Sequence, residues 1–234
     1  MTDPVAAILP LHPSQPDEFG FIEGEPLNGR VYAMLRAQLM SGVFEPGEVV
    51  SIRGLAEKLG TSTMPVREAL HRLIADHAID ARVNRSIALP VIRRADYLAV
   101  CDVRLALEGL AAERAAGRLV PEDLERLDEL TRGMAEAAKA ADPRAYLALN
   151  KDFHLTVYQA AANPLLLDLI EKLWVRAGPV MNYLFRNQGL AMQSVAPHEA
   201  IIAALRVADG EAARLAVQRD IREATPGIIE SLPA

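Results

Sequence analysis

The sequence predicts a mainly α-helical protein, in which an N-terminal winged helix-turn-helix domain is followed by an antiparallel all-α helical bundle. Two patterns carry this prediction. Between residues 26 and 92, three short helical patterns are followed by two short β-like runs. From residue 93 to residue 234, apolar residues recur at helical spacing without strand alternation. The first 25 residues hold four prolines and no sustained period, so we expect a flexible N-terminal arm there.

In the first domain, we expect a helix over residues 30–40 that stops at Ser41-Gly42, and a second helix near residues 52–59 that Gly60 ends. Ser62 or Thr63 can cap a third helix. This third helix has an apolar stripe, which consists of Val66, Ala69, Leu70, Leu73 and Ile74. The β-like runs follow at residues 79–83 and 87–92, and they predict the hairpin that forms the wing.

Six longer helices are expected in the second domain, because Gly, Pro and Asn-Pro signals break its apolar periodicity at intervals. We place them near residues 95–117, 121–138, 143–162, 164–186, 194–208 and 210–229. Helices with apolar stripes must bury them against one another, so an antiparallel bundle is the expected arrangement.

Composition excludes several classes of protein. The chain of 234 residues has a single cysteine, Cys101, which rules out a disulfide framework and suits a reducing compartment. No uncharged apolar run reaches the roughly 18 residues needed to cross a bilayer, and the N-terminus has no basic segment of the kind that begins a secretory signal. We therefore expect a cytoplasmic protein without a membrane partner.

The charge is unevenly distributed. Residues 1–25 carry a net charge of −5, residues 26–94 carry +4, and residues 95–234 carry −5. A basic module within an acidic chain favours a polyanionic partner for that module, such as double-stranded DNA.

Three stretches of the first domain resemble the DNA-binding domain of GntR-type transcription regulators. They are Ser41-Gly42-Val43-Phe44-Glu45-Pro46-Gly47, Leu55-Ala56-Glu57-Lys58-Leu59-Gly60-Thr61-Ser62 and Pro65-Val66-Arg67-Glu68-Ala69-Leu70-His71-Arg72-Leu73. The helical remainder resembles the FCD effector-binding domain of the FadR-like subfamily.

This resemblance implies that the third helix enters the major groove and the wing tip reaches the minor groove. Arg67 is then placed to meet a base edge or a phosphate, and Ser62 to bind a phosphate. The alternative for each arginine is an ordinary solvated residue or a salt bridge. The expected DNA-binding residues are Arg53, Ser62, Thr63, Arg67, Asn84 and Arg85.

The chain departs from the family pattern at three places. Thr63 stands where many relatives have arginine, so one charge is missing. The glycine that usually follows the recognition helix is replaced around His77-Ala78, and the glycine of the wing is replaced by Ser86. These replacements matter because only glycine adopts positive φ without cost.

Four side chains of the second domain can act as metal ligands. Asn150 and His154 are four residues apart and share a helix face, while His198 and Asp220 lie on two later helices, so all four can converge only inside the bundle. FCD domains commonly bind a divalent metal through an Asp-x-x-x-His pair and two later histidines. By this resemblance Asn150 replaces the aspartate and Asp220 replaces the last histidine. Zn²⁺ is the expected metal, with Ni²⁺ and Mn²⁺ as alternatives, and a metal-free polar pocket stays open.

An effector is expected near these ligands. Arg104, four residues before Glu108, matches the Arg/Glu pair in the first FCD helix and either clamps an anionic effector or forms a surface ion pair. Trp174 and Met181 are expected in the core. Further candidates for effector binding are Asn182, Tyr183, Arg186 and Gln193.

The predicted function is a homodimeric transcription regulator, in which the bundle dimerises and senses a small organic acid while the winged modules bind a palindromic operator. Repression is favoured over activation, because most relatives repress. Two other functions stay open: a metal-dependent hydrolase or isomerase, and a DNA-binding architectural protein without an effector.

Overall fold

The computed structural model describes residues 26–82, 86–186 and 195–234. The predicted N-terminal arm (1–25) and wing tip, with Asn84 and Arg85, lie outside these described residues, and so does Gln193.

The first domain is a winged helix-turn-helix, as the sequence predicts. Its helices are α1 (Leu27–Met40), α2 (Ile52–Lys58) and α3 (Thr63–Ala75). α2 begins at Ser51, whose hydroxyl accepts a hydrogen bond from the backbone N–H of Gly54 at 3.0 Å. Gly60 ends the following turn with φ of +62°, the left-handed conformation expected from the sequence.

The small sheet contains three strands instead of the predicted two. They are β1 (Val49–Ser51), β2 (Asp80–Arg82) and β3 (Ser86–Ala88), and β3 lies in the middle with both neighbours antiparallel to it. Sequence analysis missed β1 because three residues are too short to show the period of two that identifies a strand. β1 pairs Val50 with Ile87, and the wing is therefore anchored at the start of α2.

The second domain is the predicted helical bundle. Its helices are α4 (Arg94–Ala115), α5 (Pro121–Lys139), α6 (Pro143–Ala160), α7 (Pro164–Ala177), α8 (Val195–Arg206) and α9 (Gly210–Ile229). Three helices begin with a side-chain cap, in which Asp142, Asn163 and Asp209 each accept a hydrogen bond from a backbone N–H three residues later. Among the described residues, no helix is long and apolar enough to span a bilayer.

The predicted helix over residues 164–186 is wrong in its second half. α7 ends at Ala177, and the chain continues as a 3-10 helix over Gly178–Arg186, which we call the 3-10 segment. Pro179 explains the change, because it has no N–H to donate to the carbonyl four residues earlier and so cannot continue the α-helix.

In the part of the chain that the structure describes, four non-glycine residues adopt positive φ, and each lies just beyond a helix. They are His77, Ala141, Ala162 and Ala208, with φ between 51° and 55°. His77 thus adopts the left-handed conformation at the place where the sequence departs from the family's glycine.

The two domains share one apolar core. α1 packs against α7 and the 3-10 segment, and α4 packs along α9 within the bundle. Buried side chains such as Leu39 of α1 and Trp174 of α7 belong to the same hydrophobic cluster. The DNA-binding module therefore rests directly on the wall of the bundle.

Candidate functional site

The residues expected to bind DNA, where the structure describes them, lie on α2 and in the N-terminal half of α3. Ser62 and Thr63 are exposed, and Ser62 is the N-cap of α3 without a side-chain hydrogen bond to the helix. Its hydroxyl and the first amides of α3 form the kind of anion site that binds a phosphate. Arg53 is also exposed, and its Nε donates to Glu57 Oε1 at 3.0 Å. Arg67 is partly buried on the same helix as Thr63.

The other end of α3 is held by α1. The Tyr32 hydroxyl donates to Asp76 Oδ2 at 2.7 Å, and the Arg72 guanidinium lies 3.8 Å from the centre of the Tyr32 ring. Partial burial and the bond to Asp76 raise the pKa of Tyr32 above its ordinary value. The Tyr32 hydroxyl therefore stays protonated and remains a donor. Its hydrogen bond and the contact of its ring with Arg72 fix the end of α3 against α1.

The structure brings the four predicted metal ligands together inside the bundle. His198 Nε2 lies 2.9 Å from Asn150 Oδ1, and His154 Nε2 lies 3.2 Å from Asp220 Oδ2. Ligand atoms of both histidines and Asp220 all lie within 4.8 Å of one another. Adjacent ligands of a metal ion with bonds of about 2.1 Å are about 3 Å apart, and the two pairs His198–Asn150 and His154–Asp220 have this spacing. This buried cluster could bind a metal.

The carboxylate of this cluster is in the form that binds metals. Burial alone would raise the pKa of Asp220, but the opposing charge of His198 and the hydrogen bond with His154 hold that pKa below its ordinary value. The Asp220 carboxyl is therefore ionised at neutral pH, which a metal ligand requires.

A hydrogen-bonded chain lies behind the cluster and ends at His154. The Tyr158 hydroxyl donates to Glu108 Oε2 at 2.6 Å and lies 3.1 Å from His154 Nδ1. Because the Tyr158 proton goes to the carboxylate, the Tyr158 oxygen is left to accept from Nδ1 when that nitrogen carries a proton. His154 therefore contacts Tyr158 through Nδ1 and Asp220 through Nε2, and a metal at Nε2 would replace the contact with Asp220 while Nδ1 kept its partner.

The Arg104–Glu108 ion pair is present, but it is buried rather than at the surface. Arg104 Nε donates to Glu108 Oε1 at 2.6 Å, and neither side chain is more than 7% exposed. Burial alone would lower the pKa of Arg104, yet the Glu108 carboxylate raises it above the ordinary value, so the guanidinium stays charged. It lies 5.2 Å from the Trp174 ring.

A small cavity of about 20 Å³ joins the cluster to Arg104. Such a volume holds an ion or a single water molecule. Several side chains that line this cavity were not expected there from the sequence. Two of them, Trp174 and Met181, were expected in the core. The lining residues are Tyr97, Arg104, Tyr146, Asn150, His154, Trp174, Met181, Leu184, Asp220, Ile221 and Ala224.

Apart from Arg104, the residues that were expected to bind the effector do not line this cavity, as far as the structure describes them. Asn182 points the other way, and its amide donates to the backbone carbonyl of Gly42 at 2.7 Å. Tyr183 is buried in a second apolar cluster with Tyr97 and Ile228. Arg186 ends the 3-10 segment, and its side chain lies outside the described part of the chain.

Sequence reasoning missed the supporting residues Tyr158 and Trp174. Tyr158 lies four residues after His154, so helical spacing places it on the same face, and this was the available signal. Trp174 is 4% exposed, and its Nε1 is buried without a hydrogen-bond partner in the structure. Nothing in the sequence distinguishes such an indole from an ordinary core residue.

Two protein families match separate parts of the chain. The family of bacterial regulatory proteins named gntR matches residues 27–89, and the FCD domain family matches residues 99–223. The first includes the exposed surface at α3, and the second includes the four clustered ligands.

Known regulators resemble the chain over most of its length. The HTH-type transcriptional regulator McbR of Escherichia coli strain K12 is 32% identical over 182 residues, which cover 77% of this chain and 82% of McbR. A probable D-xylose utilization operon transcriptional repressor of Paenarthrobacter nicotinovorans is 29% identical, with coverage of 83% and 85%. The solved structure of E. coli McbR superposes with a TM-score of 0.83, covering 88% of this chain and 99% of that one at 29% identity. The chain therefore belongs to the GntR family of DNA-binding transcriptional regulators, with an FCD domain as its second domain, and it is not an enzyme.

Proposed function

We propose that this regulator is a homodimeric repressor whose affinity for a palindromic operator is controlled by a small carboxylate effector, bound at a divalent metal in the FCD domain. The observation that carries the proposal is the convergence of Asn150, His154, His198 and Asp220 inside the bundle, with His154 Nδ1 beside the Tyr158 hydroxyl and Nε2 beside Asp220. Repression is supported by the relative from P. nicotinovorans, which is named a repressor.

The ligand set favours particular metals. Two imidazoles, one carboxylate and one amide oxygen suit Zn²⁺ best, and Ni²⁺ and Mn²⁺ also accept mixed nitrogen and oxygen ligands. When bound, the metal supplies a positive charge and open positions for oxygen ligands. Asp220 offsets one of its two charges, and Glu108 offsets Arg104, so the buried site keeps a net charge of +1. An anionic effector neutralises that charge, which is why we infer a carboxylate.

A dimer is proposed because a palindromic operator matches a two-fold protein. In each protomer α3 would lie in the major groove, with Arg67 at a base edge or phosphate and Arg53, Ser62 and Thr63 at the backbone. Asn84 and Arg85 are proposed to reach the minor groove from the wing. Arg104 is proposed to hold the effector from the cavity wall, and Tyr183, Arg186 and Gln193 remain candidates for more distant contacts.

Metal analysis tests this proposal directly. Protein purified without a chelator or a His-tag is expected to hold close to one equivalent of metal, and the His198→Ala and Asp220→Ala variants are expected to lose it. Asp152→Ala is the matched control, because Asp152 lies on α6 but pairs with Lys151 at the surface. A folded wild-type protein that binds DNA without any metal, even after incubation with Zn²⁺, Ni²⁺ or Mn²⁺, would refute the metal part.

A further inference from the structure

The 3-10 segment separates the cavity from the DNA-binding domain. On one side, Met181 and Leu184 line the cavity beside the metal ligands. Phe185 packs edge-on against Tyr146, another lining residue, with ring centres 5.2 Å apart. One side of the segment is therefore part of the effector site.

The other side of the same segment holds the end of α1. The Asn182 amide nitrogen donates to the carbonyl of Gly42 at 2.7 Å and lies 3.4 Å from that of Phe44. It also lies 3.2 Å from the carbonyl of Pro179 within the segment. A single side chain thus ties the 3-10 segment to the turn that follows α1.

Two glycines make this junction a contact between backbones. A Cβ added to Gly178 would lie 2.0 Å from the backbone oxygen of Leu39, which no side chain tolerates. A Cβ on Gly42, whose φ is +63°, would lie 2.8 Å from Leu147 Cδ1 and 3.2 Å from the Gly178 oxygen. Because no side chain lies between them, a displacement of the 3-10 segment acts directly on the backbone at the end of α1.

The size of the cavity means that part of its wall must move to admit an effector. A cavity of about 20 Å³ is far smaller than the roughly 300 Å³ or more of a typical ligand pocket, so an organic acid enters only if part of the wall moves. The remaining walls belong to α-helices of the bundle core. The 3-10 segment has the poorer hydrogen-bond geometry of its helix type and is the part of the wall most easily displaced.

We infer that the 3-10 segment couples occupancy of the cavity to the position of the winged helix-turn-helix domain, with Asn182 as the coupling residue. An occupant displaces Met181 and Leu184 outward, the bonds of Asn182 to Gly42 and Phe44 break, and the first domain is released from its position on the bundle. This inference rests on the proposed effector site, but it predicts a behaviour that needs neither metal nor effector.

A cavity-filling substitution tests the coupling without a ligand. Ala224 lines the cavity from α9, so Ala224→Phe fills the space from a wall other than the 3-10 segment. In the full-length protein, we expect faster amide hydrogen exchange at Val43, whose N–H is bonded to Gln38 O at the end of α1. We also expect affinity for a duplex selected from random sequence to fall by about fivefold or more. Ala203→Phe, at an exposed position on α8, is the control and should change neither quantity.

Asn182→Ala tests the same coupling by removing the bonds directly. We expect it to speed exchange at Val43 and to weaken DNA binding, although Asn182 lies on the second domain, away from the α3 surface. Combined with Ala224→Phe, it should add little, since both changes break the same link. The inference is overturned if Asn182→Ala leaves both quantities at the wild-type value, or if the two effects add in full. Neither result bears on metal binding, so this test and the metal analysis can fail separately.

Discussion

The hydroxyl of Tyr158 donates to the Glu108 carboxylate at 2.6 Å, across 50 residues of sequence, and the same hydroxyl lies beside His154 Nδ1 while Nε2 of that ring faces Asp220. The chain Glu108–Tyr158–His154 has the form of the outer hydrogen bonds that orient histidine ligands at metal sites. The Tyr158 hydroxyl and the Glu108 carboxylate are buried, so water does not replace either of them as a hydrogen-bond partner.

Tyr158→Phe should therefore weaken metal binding without removing a ligand. The substitution leaves His154 Nδ1 without its partner, and outer hydrogen bonds of this kind contribute about 10- to 100-fold in metal affinity. We expect a loss within that range for Zn²⁺, measured by competition with a chromophoric chelator. Tyr32→Phe is the matched control, since it removes a hydrogen bond of similar length from the first domain, and its Zn²⁺ affinity should stay unchanged. Equal affinity in the two variants would show that the hydrogen bond from Tyr158 does not support metal binding at His154.

Trp174 provides an intrinsic probe of the site, because it is the only tryptophan in the chain and its ring centre lies 5.4 Å from that of His154. Titration with Ni²⁺, a paramagnetic ion, is expected to quench its fluorescence and to saturate near one equivalent. The quenching should be abolished in Asp220→Ala and preserved in Asp152→Ala. Quenching that persists unchanged in Asp220→Ala would place the Ni²⁺ outside the four-ligand cluster.

The alanines in the left-handed conformation are positions where a substitution should raise the stability of the fold. Ala141, Ala162 and Ala208 are exposed and have φ above +50°, a conformation that is unfavourable for any residue with a Cβ. Replacing each with glycine should raise the free energy of unfolding by about 0.5–1 kcal/mol, measured by urea denaturation.

Ala106→Gly is the control for these changes. Ala106 is exposed within α4, where glycine is unfavourable, so this substitution should lower the free energy of unfolding by about 1 kcal/mol. Destabilisation by all four substitutions alike would mean that the entropy of the unfolded chain outweighs the backbone strain.

If the Arg67 guanidinium contacts a base, Arg67→Ala should weaken binding to the selected duplex by about 1–3 kcal/mol. The variant should also lose sequence preference at one position of each half-site. If Arg67 binds a phosphate instead, affinity falls evenly for all sequences and the salt dependence becomes shallower. Fluorescence anisotropy at several salt concentrations distinguishes the two roles. Arg219→Ala is the control, because Arg219 pairs with Glu223 on α9 in the second domain and should leave binding unchanged.

Periodicity and chain breaks were enough to predict the winged helix-turn-helix and, except for the second half of residues 164–186, the helices of the bundle, whereas the choice of metal ligands also depended on the resemblance to FCD domains. The sequence could not reveal that Asn182 faces α1 instead of the effector site, because a segment of 3-10 helix has three residues per turn and rotates side chains away from the positions of an α-helix. The cavity wall at Trp174 was equally hidden, since apolar spacing is the same for a core residue and for a residue at the edge of a pocket. Pro179 was a visible signal for the end of α7, and giving it more weight would have corrected the prediction.

The contact between Gly42 and Gly178 also restricts how such regulators can be recombined. A chimera that joins this bundle to the DNA-binding domain of another protein brings two unrelated surfaces together at the point where neither backbone has room for a Cβ. Grafts that keep both glycines and Asn182 should retain a response to the bundle's signal, whereas grafts that place larger residues there should bind DNA constitutively or not at all. In a biosensor built from this protein, the boundary between modules is therefore set by these backbone contacts and not by the linker sequence.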